Sequence, residues 1–138
     1  MDAAQNEVAV LGVDDQPIFL DVAREVVAAT PGFRWVGGAR SGEDAVAEVD
    51  RLHPGLVLLD VRMPGMDGLE TARRIADGHP GVVVVLVSVE EPPAVAVARS
   101  GAAVLVRKQE FGPSVLRRLW STYAGRKPPA DPDPRPGG

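Results

Sequence analysis

Four short apolar runs constrain this chain more than anything else in it: Val8–Val13, Leu56–Leu59, Val82–Val87 and Val104–Val106. They are rich in Val and Leu, are bounded by turn residues, and do not alternate with polar residues. A strand with one wet face alternates. A strand without alternation is buried on both faces, as in a parallel sheet covered by helices on each side. A fifth run, Phe33–Val36, is more broken and suits a strand nearer the sheet's edge.

Helical patterns fill the intervals. Over Pro17–Ala29, the residues Ile18, Val22, Val26 and Ala29 recur at helical spacing and predict the apolar stripe. Pro17 falls in the first turn, where a missing N–H does no harm. Ser41 with Asp44 resembles a capping box and opens a helix running to Leu52. Gly68–Ala76 carries Leu69, Ala72 and Ile75 on one side, and Pro93–Arg99 is a weaker Ala- and Val-rich segment. The last helix, Pro113–Tyr123, sets Val115, Leu116, Leu119 and Trp120 on one stripe with Arg117 and Arg118 outside it.

Strand and helix thus alternate five times, which predicts a three-layer α/β/α sandwich around a doubly wound, five-stranded parallel sheet of order 2-1-3-4-5. With 138 residues, one domain over 7–124 is expected. The remainder, 125–138, is dense in Pro and Gly and is expected to stay disordered or semi-extended, leaving no further domain after it. The chain carries a formal net charge of −4 and no cysteine. That composition argues against a nucleic-acid or anionic-membrane surface and excludes disulfide and thiol chemistry. The N-terminus lacks the pattern of a secretory signal and no apolar run is long enough to span a bilayer, so a cytoplasmic protein is the simplest expectation.

In an open α/β sheet, functional groups gather beyond the carboxyl ends of the strands. There the sequence places Asp14 and Asp15 after the first strand, Asp60 after the third, Ser88 after the fourth and Lys108 after the fifth, with no comparable group after the second. In the order 2-1-3-4-5 these five converge. Two like charges about 4 Å apart repel by roughly 4 kcal/mol at an effective dielectric near 20, and three carboxylates multiply the conflict. A hard divalent cation such as Mg²⁺ resolves it through carboxylate and carbonyl oxygens. Lys108 adds a fixed positive charge opposite. A carboxylate between a metal and an ammonium is suited to accept a phosphoryl group, because that transfer depends on positioning and charge neutralisation. Each piece alone has a plainer reading: an acidic pair as a helix cap, a Ser as a turn former, a strand-end Lys as a solvated charge, "MPGMDG" as a turn. The conjunction favours chemistry. His53 and His79 precede Pro residues, lack ligand partners at suitable spacing, and are expected on the surface.

The stretches "VLGVDDQPIFL", "LVLLDVRMPGMDGLE", "VVVVLVS" and "SGAAVLVRK" resemble the CheY-like receiver domain of bacterial two-component response regulators. "DDQPIF" and "VGGARSGEDAV" look closest to receivers of the LuxR-type class. The resemblance implies that Asp60 accepts phosphate from a sensor histidine kinase or phosphotransfer protein, and that Asp15 binds Mg²⁺ directly and Asp14 partly through water. The backbone carbonyl of Arg62 would complete the protein ligands, while Ser88 and Lys108 would contact the phosphoryl oxygens. It further implies a switched face made of the fourth helix, fifth strand and fifth helix, open to a downstream protein or a second copy.

Some positions depart from that pattern. Leu105 stands where receivers usually carry an aromatic residue, Val89 where a small residue usually follows the hydroxyl, and Gln109 where a proline often follows the lysine. Arg62 and Glu90 are expected to pair across the mouth of the site and, with Val89, to restrict access by water and small donors. The leading expectation is a receiver acting alone, without direct nucleic-acid binding or membrane association and not an enzyme beyond turnover of its own phosphate. The alternatives are the receiver portion of a LuxR-type DNA-binding regulator and a phosphate-independent binding module. A Mg²⁺-dependent phosphatase is disfavoured, because Arg62 occupies the place of its second acid.

Overall fold

The structure is a computed structural model and describes residues 6–125; the Pro/Gly-rich segment lies outside them from residue 126 on. Five strands, β1 (Val8–Val13), β2 (Phe33–Ala39), β3 (Leu56–Asp60), β4 (Val83–Ser88) and β5 (Val104–Arg107), alternate with five helices. These are α1 (Pro17–Ala28), α2 (Gly42–Leu52), α3 (Gly68–Gly78), α4 (Ala94–Arg99) and α5 (Pro113–Tyr123). All neighbouring strands pair in parallel, in the order β2-β1-β3-β4-β5.

The unalternating runs have the physical origin expected of them. Val10, Leu56, Leu58, Val83, Val85 and Val87 pack on the side of α1 and α5, with Phe19, Val27, Leu116 and Leu119. Their chain neighbours Leu11, Val57, Leu59, Val84 and Leu86 pack on the other side, with Val49, Ala72 and Ile75 from α2 and α3. Alternate side chains feed opposite layers, so each must be apolar. Each such side chain contributes about 1.5–3 kcal/mol on burial.

Two readings of periodicity need correction. On α1 the buried residues are Phe19, Ala23 and Val27, one position on from the expected stripe, whereas Ile18 is 75% exposed and Val22 45%. Both stripes are apolar at i, i+4 spacing. The larger Phe19 decides which turns inward, against Phe111 at 6.2 Å between ring centres. Strand β2 also runs on to Ala39, past the expected end at Val36. Its register against β1 shifts between Val10 and Leu11, so Val36 forms a bulge and Gly37 and Gly38 continue the ladder. Gly12 in β1 leaves room for Trp35, whose ring would come within 3.1 Å of any Cβ there, as would Leu20.

The Ser41 cap holds as read, and the structure adds a second at Asp67. Ser41 accepts a hydrogen bond from the Asp44 N–H at 3.1 Å, and Asp67 accepts one from the Glu70 N–H at 2.9 Å. His53 closes α2 in the left-handed region, at φ 48°. It remains exposed, but His79 is only 21% exposed in its side chain, with Nε2 2.6 Å from Asp50 Oδ1. The expectation of a plain surface histidine fails there because the ends of α2 and α3 abut. Among the described residues, no helix is long and apolar enough to cross a membrane.

Candidate functional site

The carboxyl ends of β1, β3 and β4, with the turn after β5, meet at one end of the sheet. Asp14 follows β1 and is wholly buried. Its Oδ1 accepts the Gln16 N–H at 2.9 Å, and its Oδ2 accepts Lys108 Nζ at 2.6 Å. Asp15, half-buried, points its carboxylate into the same space. Asp14, Asp15 and Asp60 each offer an oxygen within 4.8 Å of the others. Such a set of hard oxygen donors with excess negative charge fits a divalent cation of the Mg²⁺ kind.

Asp60 closes β3 and is 5% exposed. Burial, and next the charge of Asp14, push its carboxyl up to about 6, against the pull of Lys108 and a hydrogen bond from the Arg62 N–H. Lys108 lies 3.3 Å from Asp60 Oδ1 and so bridges both buried carboxylates. Burial pushes the Lys108 ammonium down, but the Asp14 hydrogen bond and the charges of Asp60 and Asp14 outweigh it and hold its pKa above the ordinary value. Its Nζ sits 5.0 Å over the Phe19 ring, so the same aromatic that orients α1 also supports the cation.

Glycine at 68 is required by this geometry. A Cβ there would fall on the Asp60 carbonyl oxygen and 2.7 Å from the Val61 Cα. The start of α3 thereby lies directly against the backbone that carries Asp60, and Gly68 N–H donates to the Val61 carbonyl at 2.9 Å.

Ser88, at the end of β4, is 3% exposed and donates its hydroxyl to the Glu90 carbonyl. Arg62 Nη2 meets Glu90 Oε2 at 3.2 Å, the pairing expected across the mouth. Val89 lies between Ser88 and Glu90 and is 61% exposed. Together Asp15, Asp60, Arg62, Ser88, Glu90 and Lys108 line an open cleft of about 310 Å³, with Gln16 and Val89 at its sides. Leu105 is half-buried on β5, opposite Leu86, and does not line that cleft.

Sequence reasoning missed two contributors. Arg40 follows the lengthened β2 and donates from Nη2 to the Asp15 carbonyl at 3.0 Å. Reading β2 through Gly37 and Gly38 would have brought it to the strand end. Phe19, not among the residues of the expected stripe, supports Lys108; the "DDQPIF" aromatic was the available signal.

The family described as response regulator receiver domain matches residues 10–119. The chain belongs to that family. This receiver is 36% identical over 121 residues to a protein-glutamate methylesterase/protein-glutamine glutaminase of Syntrophus aciditrophicus, covering 85% of the chain and 33% of that protein. It is 33% identical over 122 residues to the response regulator GacA of Pseudomonas viridiflava, covering 87% of the chain and 57% of the relative. It therefore spans between a third and three fifths of these relatives. Among solved structures, the receiver domain of the putative response regulator NarL from Mycobacterium tuberculosis superposes with a TM-score of 0.79 at 28% identity, over 88% of this chain and 99% of that one. The receiver domain of Thermotoga maritima CheB superposes at 0.74 with 26% identity, over 83% and 95%. Two-component signalling, through histidine kinases or phosphotransfer proteins and downstream effectors, is the setting of this family.

Proposed function

We propose that this receiver is a Mg²⁺-dependent phosphorylation switch with Asp60 as the acceptor. The observation that carries the reading is Lys108, which reaches both Asp14 and Asp60 in a cluster otherwise dominated by negative charge. Mg²⁺, held by Asp14, Asp15, Asp60 and the Arg62 backbone carbonyl, would neutralise charge on the incoming phosphoryl group. Asp60 Oδ forms the new O–P bond as the P–N bond of a donor phosphohistidine breaks, and the departing imidazole keeps the electron pair and takes a proton. Lys108, already between the two carboxylates, is placed to pair with a phosphoryl oxygen on Asp60. Ser88 turns from the Glu90 carbonyl to donate to a phosphoryl oxygen. That movement draws on the β4–α4 loop and so reaches the face of α4, β5 and α5, the surface for a downstream protein or a second copy.

Incubation with Mg²⁺ and acetyl phosphate tests this by intact mass. One phosphate added to the wild type and none to Asp60→Ala is the expected result. A phosphate-independent binding module, to which Leu105 and Val89 lend support, is the reading left if neither small donors nor histidine kinases label the wild type. Similarity to GacA and NarL supports a LuxR-type class for the receiver and leaves its output open to a DNA-binding regulator.

A further inference from the structure

Glu90 is tied to the site twice, once by side chain and once by backbone, and Arg62 holds it from the opposite side of the mouth. Arg62 lines the cleft beside Asp60, and its guanidinium holds Glu90 at 3.2 Å. Glu90 offers its carboxylate to Arg62 and its carbonyl to the Ser88 hydroxyl. The Arg62–Glu90 ion pair and the Ser88–Glu90 hydrogen bond thus form one link across the cleft mouth, joining the β3–α3 and β4–α4 segments.

That link is built to open. The two side chains are 79% and 72% exposed, and an ion pair in that setting contributes little and breaks at low cost. Ser88 has one hydroxyl proton, so it cannot donate to Glu90 and to an anion on Asp60 together. When it turns, Glu90 loses the bond that fixes its backbone. A phosphoryl group also outcompetes a lone carboxylate for a planar guanidinium, offering more charge and more acceptor oxygens.

On these grounds, and resting on Asp60 as the acceptor, we infer that Arg62 exchanges partners on phosphorylation, leaving Glu90 for the phosphoryl group. Arg62 is then a phosphoryl-binding residue held in reserve. Glu90 is a competitor that occupies it while Asp60 is free, and its release is the event passed to the β4–α4 loop. With Leu105 in place of an aromatic, that loop provides a route for the signal that does not depend on a rotating ring.

Labelling by acetyl phosphate with Mg²⁺ in the full chain, in which acetate leaves as its P–O bond breaks and the Asp60 O–P bond forms, separates the possibilities. Initial rates are compared for wild type, Glu90→Gln, Arg62→Gln and the double variant; both residues are exposed, and the substitutions keep the backbone contacts. Glu90→Gln should label faster, by about two- to fivefold, and Arg62→Gln slower by a similar factor, the scale set by an exposed pair. The double variant should match Arg62→Gln, because with Arg62 gone there is nothing to release. The Arg62 Nε–Hε resonance, assigned by its loss in Arg62→Gln, should also shift when the wild type is labelled. An equal gain from Glu90→Gln in both backgrounds, or an unmoved resonance on labelled protein, overturns the exchange and leaves Asp60 as acceptor intact. A wild type that takes no label brings down both.

Discussion

Helices α3 and α4 cover the same face of the sheet and are held very differently. Eleven-residue α3 is capped by Asp67, buries Thr71, Ala72 and Ile75, and lays Gly68 on the Asp60 backbone. Six-residue α4 begins at Pro93 without a side-chain cap and buries none of its residues. The strand before α3 delivers the buried carboxylate, and the strand before α4 delivers the hydroxyl. The acceptor is therefore fixed by packing, whereas Ser88 and Glu90 lead into an element with little burial to lose on moving. A switch needs that division: the chemistry must stay in place while the readout shifts.

The severest way to break the contrast is Gly68→Ala. Its methyl must displace the Asp60 backbone, so a loss of about 3 kcal/mol or more in urea denaturation is expected, together with loss of acetyl-phosphate labelling. Truncation of Ile75→Ala on α3 should cost about 2–5 kcal/mol by the same measurement, while Val95→Ala on α4, at a side chain 59% exposed, should stay within about 0.5 kcal/mol. A large loss at Val95 would mean that α4 is packed after all. The stripe on α1 gives a parallel test: Phe19→Ala should destabilise by about 3–5 kcal/mol and Ile18→Ser by less than about 0.5 kcal/mol, because only Phe19 is buried.

The last effect concerns charge. The Asp60 carboxyl is pushed up to about 6 from an ordinary 3.8, burial leading and Asp14 next, so the fold binds its proton more tightly than the unfolded chain does. The stability this lends is fully present below pH 3.8 and is lost as pH rises through about 6. In metal-free buffer, wild type should therefore lose stability relative to Asp60→Asn between pH 4 and pH 7, by about 2–3 kcal/mol, and Mg²⁺ should restore it. Paired denaturation curves at the two pH values, with and without the ion, measure this. A difference that does not change with pH would show that Lys108 already compensates the cluster.

Much of this protein was legible beforehand because its strands are buried on both sides. No polar residue can sit inside them, so the runs stand out and the carboxyl ends, where Asp60 and Ser88 interrupt them, stand out equally. Less was legible where two arrangements satisfy the same pattern. On α1, Ile18–Val22 and Phe19–Ala23 are both apolar at helical spacing, and only the fit of Phe19 against Phe111 and beneath Lys108 selects one. On β2, the apolar run stops at Val36, and only the bulge there and the ladder with β1 carry the strand to Ala39 and bring Arg40 to Asp15.

By itself, then, the sequence determined the layering, the strand order and the identity of the charged groups at one end of the sheet, since these follow from periodicity and from where apolar runs stop. Tertiary structure alone decided which face of α1 turns inward, which carboxylate Lys108 grips most closely, and where the Ser88 proton points. Those depend on how side chains from separate elements meet in space, and a local pattern carries no information about that.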